Sequence, residues 1–220
     1  MGYEENKIEG RNAVLEAFRS GKTIDKLFVL DGCQDGPIKS ITREARKGDT
    51  IINYVNKERL DQISETGKHQ GVIAISAAYD YAEVEDILAN AESKGEAPFI
   101  IILDGIEDPH NLGAIIRTAN QAGAHGIIIP KRRAVGLTPT VARTSAGAIN
   151  YTPVAKVTNI TQTIKDLKDK GMWFVCADMD GTPMYDLNLT GSIGLVIGNE
   201  GDGVSKLVKE NCDMIATIPM

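Results

Sequence analysis

The sequence holds no apolar run long enough to cross a membrane; strings such as Phe99 to Leu103 fall far short of the roughly 18 residues a span requires. The amino-terminal MGYEENKIEGR brings acids early and no apolar core, so no secretory signal is expected. Asn6 stands where a myristoylation signal after Gly2 calls for Ser or Thr, so no lipid anchor is expected either. Cysteine is sparse and odd in number. Cys33, Cys176 and Cys212 lie far apart, which offers neither a disulfide framework nor a metal-ligand spacing, and the expected compartment is a reducing cytoplasm. Internal repeats and low-complexity tracts are absent. What is present is ordinary for a globular protein: 220 residues, 42% hydrophobic and 25% charged, enough for one large or two small domains.

The net charge of −6 at first argues against a nucleic-acid partner. Its distribution changes that inference. Residues 1–78 hold 12 basic and 12 acidic side chains, residues 79–97 one and six, and residues 98–220 eleven and twelve. The acidity is concentrated in YDYAEVEDILANAESKGEA, and each flanking half is free to carry a local basic face.

Hydrophobic patterning predicts an α/β protein throughout. In residues 1–78 we expect helices at Asn12–Phe18, Ile38–Lys47 and Lys57–Ser64, and strands at Lys26–Leu30, Thr50–Val55 and Val72–Ala77. Residues 79–97 read as an acidic linker containing one helix, Val84–Glu92. In residues 98–220 the expected strands are Phe99–Leu103, Gly126–Ile129, Met172–Ala177, Ile193–Ile197 and Met214–Ile218. The expected helices there are Leu112–Ala122, Thr140–Ala148, Ile160–Lys170 and Ser205–Glu210.

Three constellations carry possible chemistry. DGIEDPHNLGAIIRTANQAG, residues 104–123, runs from the carboxyl end of a buried strand into a helix, where α/β proteins place their sites. Asn111 reads as its N-cap, and Arg117 lies on the polar side with Asn120 and Gln121; a capped helix with a solvated arginine explains the same residues. IGNEGDGVSK, residues 197–206, is a glycine loop between a strand and a helix. Val204 stands where a P-loop has lysine, Glu200 and Asp202 add negative charge, and the glycine order is not the dinucleotide fingerprint. The loop thus suits a ligand that is neutral or positive at its reactive centre, or is a plain turn. Lys131, Arg132, Arg133 and Arg143 are cations that grip phosphate or decorate a loop. GKHQG, residues 67–71, is open to the same two readings at Lys68 and His69.

In combination these residues resemble the SpoU/TrmH family of RNA ribose 2′-O-methyltransferases. NLGAIIR, Asn111–Arg117, after Asp108-Pro109, is similar to the family's first motif; VIGNEGDGVS, Val196–Ser205, to its second; and TSAGA, Thr144–Ala148, is a further likeness. GRNAVLEAF and GKHQGVIA resemble the small ribosomal-protein (L30e)-like substrate domain that precedes the catalytic domain in rRNA-modifying members. The likeness is closest to the bacterial 23S rRNA guanosine 2′-O-methyltransferases. It implies a substrate domain at 1–78, a SPOUT-type α/β-knot catalytic domain at 98–220, S-adenosylmethionine (AdoMet) as cofactor, rRNA as partner, a homodimer, and neither metal nor membrane. It also implies a catalytic set of Asn111, Arg117 and Glu200, with Ile197, Gly198, Asn199 and Ile218 lining the cofactor pocket. Arg11, Lys68, His69, Lys131, Arg132, Arg133 and Arg143 are the corresponding candidates for RNA contact. A third family motif, a loop and helix with Ser-Leu-Asn, is expected shortly after Met214–Ile218; the sequence ends at Met220, so the knot segment is expected to be incomplete here. A tRNA methyltransferase and a non-catalytic RNA-binding protein on the same scaffold are the alternatives.

Overall fold

The computed structural model describes residues 6–218. They form two compact units, one reaching Asp80 and including Gly136–Thr140, the other comprising Tyr81–Val135 and the chain from Val141 onward.

The first unit alternates strands and helices as β1 (Asn6–Glu9), α1 (Arg11–Arg19), β2 (Ile24–Leu30), α2 (Gly36–Lys47), β3 (Ile51–Val55), α3 (Lys57–Ile63) and β4 (Val72–Ser76). Its sheet has the order β1-β4-β2-β3, with β2 and β3 parallel and β4 antiparallel to both its neighbours. Side chains alternate across a strand, and both faces are covered. Leu27, Val29, Val72 and Ala74 pack with Val14, Ile38 and Ile41 of α1 and α2, while Ile73 and Ile75 pack with Leu60 of α3. Double-sided burial is why VIAIS reads as a continuous apolar run. Asp35 caps α2 by accepting from the Ile38 amide, and Asn56 caps α3 by accepting from the Arg59 amide.

The second unit begins with α4 (Val84–Lys94), followed by β5 (Phe99–Asp104), α5 (Pro109–Gln121) and β6 (Gly126–Pro130). After α6 (Pro139–Thr144) come β7 (Val154–Val157), α7 (Ile160–Asp169), β8 (Trp173–Pro183), β9 (Ile193–Gly198), α8 (Lys206–Glu210) and β10 (Met214–Thr217). Six parallel strands lie in the order β10-β8-β9-β5-β6-β7. The core gathers Ile100 and Ile102 of β5, Ile128 of β6, Phe174 of β8, Val196 of β9 and Ile164 of α7.

The mixed α/β class is as expected; four local expectations need correction. Residues 79–97 are not a linker, because α4 is built into the second unit. Ile87 is fully buried in its core, the Asn90 side chain donates to the His125 carbonyl at 2.8 Å, and Glu96 bonds the buried His125 ring at 3.0 Å. β1 and β7 were not foreseen. Helix Thr140–Ala148 is shorter, giving way after Thr144 to a turn and a single 3-10 turn at Ala148–Asn150. Strand Met172–Ala177 continues to Pro183, and its pairing with β10 jumps from Ile215↔Cys176 to Ala216↔Thr182.

Candidate functional site

β5 and β9 are parallel neighbours whose register ends with Asp104 opposite Gly198. Two loops distant in sequence therefore leave the same edge of the sheet side by side. Three side-chain hydrogen bonds join them. Asp104 Oδ2 accepts from the Ser205 amide at 2.8 Å, Asn199 Nδ2 donates to the Gly105 carbonyl at 2.9 Å, and Asn111 Nδ2 donates to Glu200 Oε1 at 2.8 Å.

Asn111 is not the N-cap of α5. Asp108 holds that place, accepting from the amides of His110 (2.6 Å) and Asn111 (3.4 Å), with Pro109 at the first helical position. His110 is consequently helical. The displaced Asn111 lies within the first turn, and its amide side chain is free to reach across to Glu200. Arg117 follows six residues later, about 9 Å along the axis and roughly 240° around it. It is exposed and makes no ion pair among the described residues. The structure thus joins Asn111 to Glu200 and leaves Arg117 on a different face of the same helix.

The glycine loop is closed upon itself. Asn199 and Gly203 exchange both backbone hydrogen bonds, at 3.1 and 2.9 Å, and the Gly201 amide donates to Asn199 Oδ1 at 2.8 Å. With the Ser205 amide on Asp104, four of the loop's amides are satisfied within the protein, so they do not form a phosphate cradle. What the loop presents outward is acidic, the exposed side chains of Glu200 and Asp202. Gly198 is dictated by this geometry, because a Cβ there would overlap the backbone of Gly203 and Val204. Of the residues expected around a cofactor, Ile197, Gly198 and Asn199 lie together at the end of β9. Ile218 follows β10, which β8 separates from β9 in the sheet, and is 66% exposed.

TSAGA buttresses this site. Thr144 Oγ1 donates to the Pro109 carbonyl at 3.3 Å, and a Cβ on Gly113 would overlap the Thr144 side chain. α5 is thereby seated directly on Thr144.

Residues 98–220 match the SpoU rRNA Methylase family, more than half of the chain, and residues 7–82 match the RNA 2′-O ribose methyltransferase substrate-binding family. The chain belongs to the SpoU methylase family. YacO of Bacillus subtilis, named as a TrmH family tRNA/rRNA methyltransferase, is 46% identical over all of this chain and 88% of its own. A protein of Staphylococcus saprophyticus with the same family name is 45% identical over 99% of this chain and 87% of its own. Among solved structures, the SpoU methyltransferase AviRb of Streptomyces viridochromogenes, in complex with AdoMet, aligns with a TM-score of 0.58 at 22% identity. That alignment covers 99% of this chain and 81% of AviRb, and it shows a shared fold.

The basic candidates of this SpoU-family chain fall into different environments. After β6, Arg132 and Arg133 are exposed, Lys131 is half-buried, and Arg133 adopts a left-handed φ of 57°. Arg143 is exposed on α6. In the first unit Lys68 is exposed, whereas Arg11 pairs with Asp35 at 2.7 Å and its Nε donates to the Gln70 carbonyl at 3.1 Å. His69 is buried. Its Nδ1 accepts from the Gly71 amide at 3.0 Å, which leaves Nε2–H to donate to Asp61 at 2.9 Å. Arg11 and His69 thus hold the 67–71 turn. Sequence reasoning missed Asp104 and Asp108. Both had signals, an acid at a strand's carboxyl end and Asp-Pro ahead of a helix.

Proposed function

We propose that this chain transfers the methyl group of AdoMet to a ribose 2′-hydroxyl of RNA, a guanosine of large-subunit rRNA, acting as a cytoplasmic homodimer. The observation that carries the reading is the Asn111–Glu200 hydrogen bond, which draws the two motif loops into one site. The substrate-binding match over residues 7–82 supports RNA as the substrate.

The loop fits AdoMet chemically. Four of its amides are engaged, and ahead of Lys206, which pairs with Glu210, it offers carboxylates and no cation, a setting that disfavours a phosphate and tolerates a sulfonium. Ile197, Gly198 and Asn199 at the end of β9 would hold the cofactor, with Ile218 adding apolar surface. When bound, AdoMet supplies a methyl group on positively charged sulfur. The chain's own residues handle the other reactant. The ribose hydroxyl loses its proton to solvent water as its oxygen becomes the nucleophile. Arg117 stays protonated and stabilises the developing alkoxide and the adjacent phosphate, because arginine is not deprotonated in proteins. Glu200, held by Asn111, orients the ribose.

The test is incubation with AdoMet and unmodified large-subunit rRNA or tRNA, followed by nucleoside mass spectrometry. New 2′-O-methylguanosine in rRNA is expected. Methylation of tRNA alone would overturn the rRNA assignment, a base-methylated nucleoside would overturn ribose as the acceptor, and no methylation of either RNA would overturn the enzyme.

A further inference from the structure

A cleft of about 470 Å³ opens in the first unit between the polar face of α2 and the β2–α2 loop, with the β3 side chain Tyr54 in its wall. That volume is in the range that holds a small-molecule ligand, and nothing in the motifs assigns it. Among the described residues β3 is an edge strand, paired only to β2. Tyr54 lies in register with Val29, whose side chain is buried among α1 and α2, so the Tyr54 ring stands on the helix side of the sheet. It is 52% exposed, in a chain where only 5% of residues are aromatic. Lys39 and Arg46 line the same cleft. Seven residues apart on α2, they share one helix face about 10 Å apart. Both are exposed and neither makes an ion pair among the described residues. The neighbouring cations differ, since Arg43 and Lys47 are paired with Glu44. Among the described residues one carboxylate lines the cleft, Asp31, and it accepts from the Gly32 amide at 3.0 Å. The Thr42 hydroxyl, also in the wall, is already donated to the Ile38 carbonyl at 3.0 Å.

An open aromatic face beside two unneutralised cations is the arrangement that binds a base and its flanking phosphates. We propose that this cleft grips a single-stranded stretch of the RNA substrate, one base stacking on Tyr54 and phosphates resting on Lys39 and Arg46. The proposal rests on the RNA reading above and deepens it, giving the first unit a defined grip distinct from the methyl-transfer site.

The probe is a fluorescein-labelled, mixed-sequence single-stranded RNA of about 12 nucleotides, titrated by anisotropy at several salt concentrations. Tyr54→Ala is expected to raise Kd roughly ten-fold, while Tyr54→Phe keeps it near the parent value. Lys39→Gln/Arg46→Gln is expected to lower the slope of log K against log salt by about 1.4, the loss of two phosphate contacts on a single strand. Heparin, which has charge and no bases, should bind Tyr54→Ala as it binds the parent. Circular dichroism and Tm confirm that each variant folds. Parent-like Kd and slope in all the folded variants, with RNA methylation intact, would overturn the cleft and leave the enzyme standing. Equal weakening toward heparin would overturn base stacking. A parent protein that binds no RNA would overturn the cleft and the RNA reading together.

Discussion

Asn111 acts through one hydrogen bond, from Nδ2 to Glu200 Oε1, and that bond sets where the loop carboxylate points. Replacing the donor by an acceptor reverses the interaction, since two carboxylates at that separation repel. Asn111→Asp should lower the methyl-transfer rate about ten-fold, equivalent to roughly 1.4 kcal/mol, as read in a single-turnover assay with saturating AdoMet. Glu9 offers a second test at the same scale, remote from the chemistry. Its partial burial alone would raise the carboxyl's pKa. The hydroxyls of Ser64 and Thr66 and the amides of Glu65 and Thr66 outweigh that and hold it at about 2 instead of 4.5. A depressed folded-state value contributes stability above the unfolded value that is lost as pH falls. Glu9→Gln should therefore have a lower Tm than the parent at pH 6, with the gap closing between pH 4.5 and pH 2. A gap that does not depend on pH would contradict this.

Elements were legible where burial is two-sided or one helix face is clearly apolar. FIIIL and VIAIS announced β5 and β4 because their strands are covered on both faces. β1 and β7, NKIE and VAKV, are four residues each, too short for a period to register. α4 misled for a different reason. Composition averages a helix over all its faces, and its acids surround a buried Ile87 that packs on Gly126. Ile87→Ala should destabilise the second unit by about 2–4 kcal/mol in urea unfolding, while Glu92→Ala on the exposed face should change it by less than about 0.5 kcal/mol. The glycine loop makes the matching prediction. Gly198→Ala sets a methyl group against the Gly203 and Val204 backbone, which has no flexible side chain to give way. It should abolish measurable AdoMet binding by calorimetry while far-ultraviolet circular dichroism is retained. Parent-like binding would contradict the close approach of Gly198 to the Gly203 and Val204 backbone.

At the scale of the whole molecule, the family was legible because two short motifs each follow a buried strand, and the matches over residues 7–82 and 98–220 bear it out. What the motifs did not carry is who touches whom. Asp108 taking the cap was written locally in Asp-Pro ahead of the helix, whereas that Asn111 meets Glu200 follows from the β5–β9 register, a tertiary fact with no local signature. The basic candidates divide for the same reason. Arg132 and Arg133 stay exposed, whereas Arg11 and His69 are consumed by a turn whose partners lie elsewhere in the sequence. The proposed chemistry gives Arg117 the developing alkoxide and the joined Asn111 and Glu200 the ribose. The most direct measurement is the single-turnover methyl-transfer rate of Arg117→Ala, with AdoMet affinity measured in parallel. The rate is expected to fall by about 10²–10³ at unchanged AdoMet affinity; transfer at the parent rate would contradict a role for Arg117 in the chemistry.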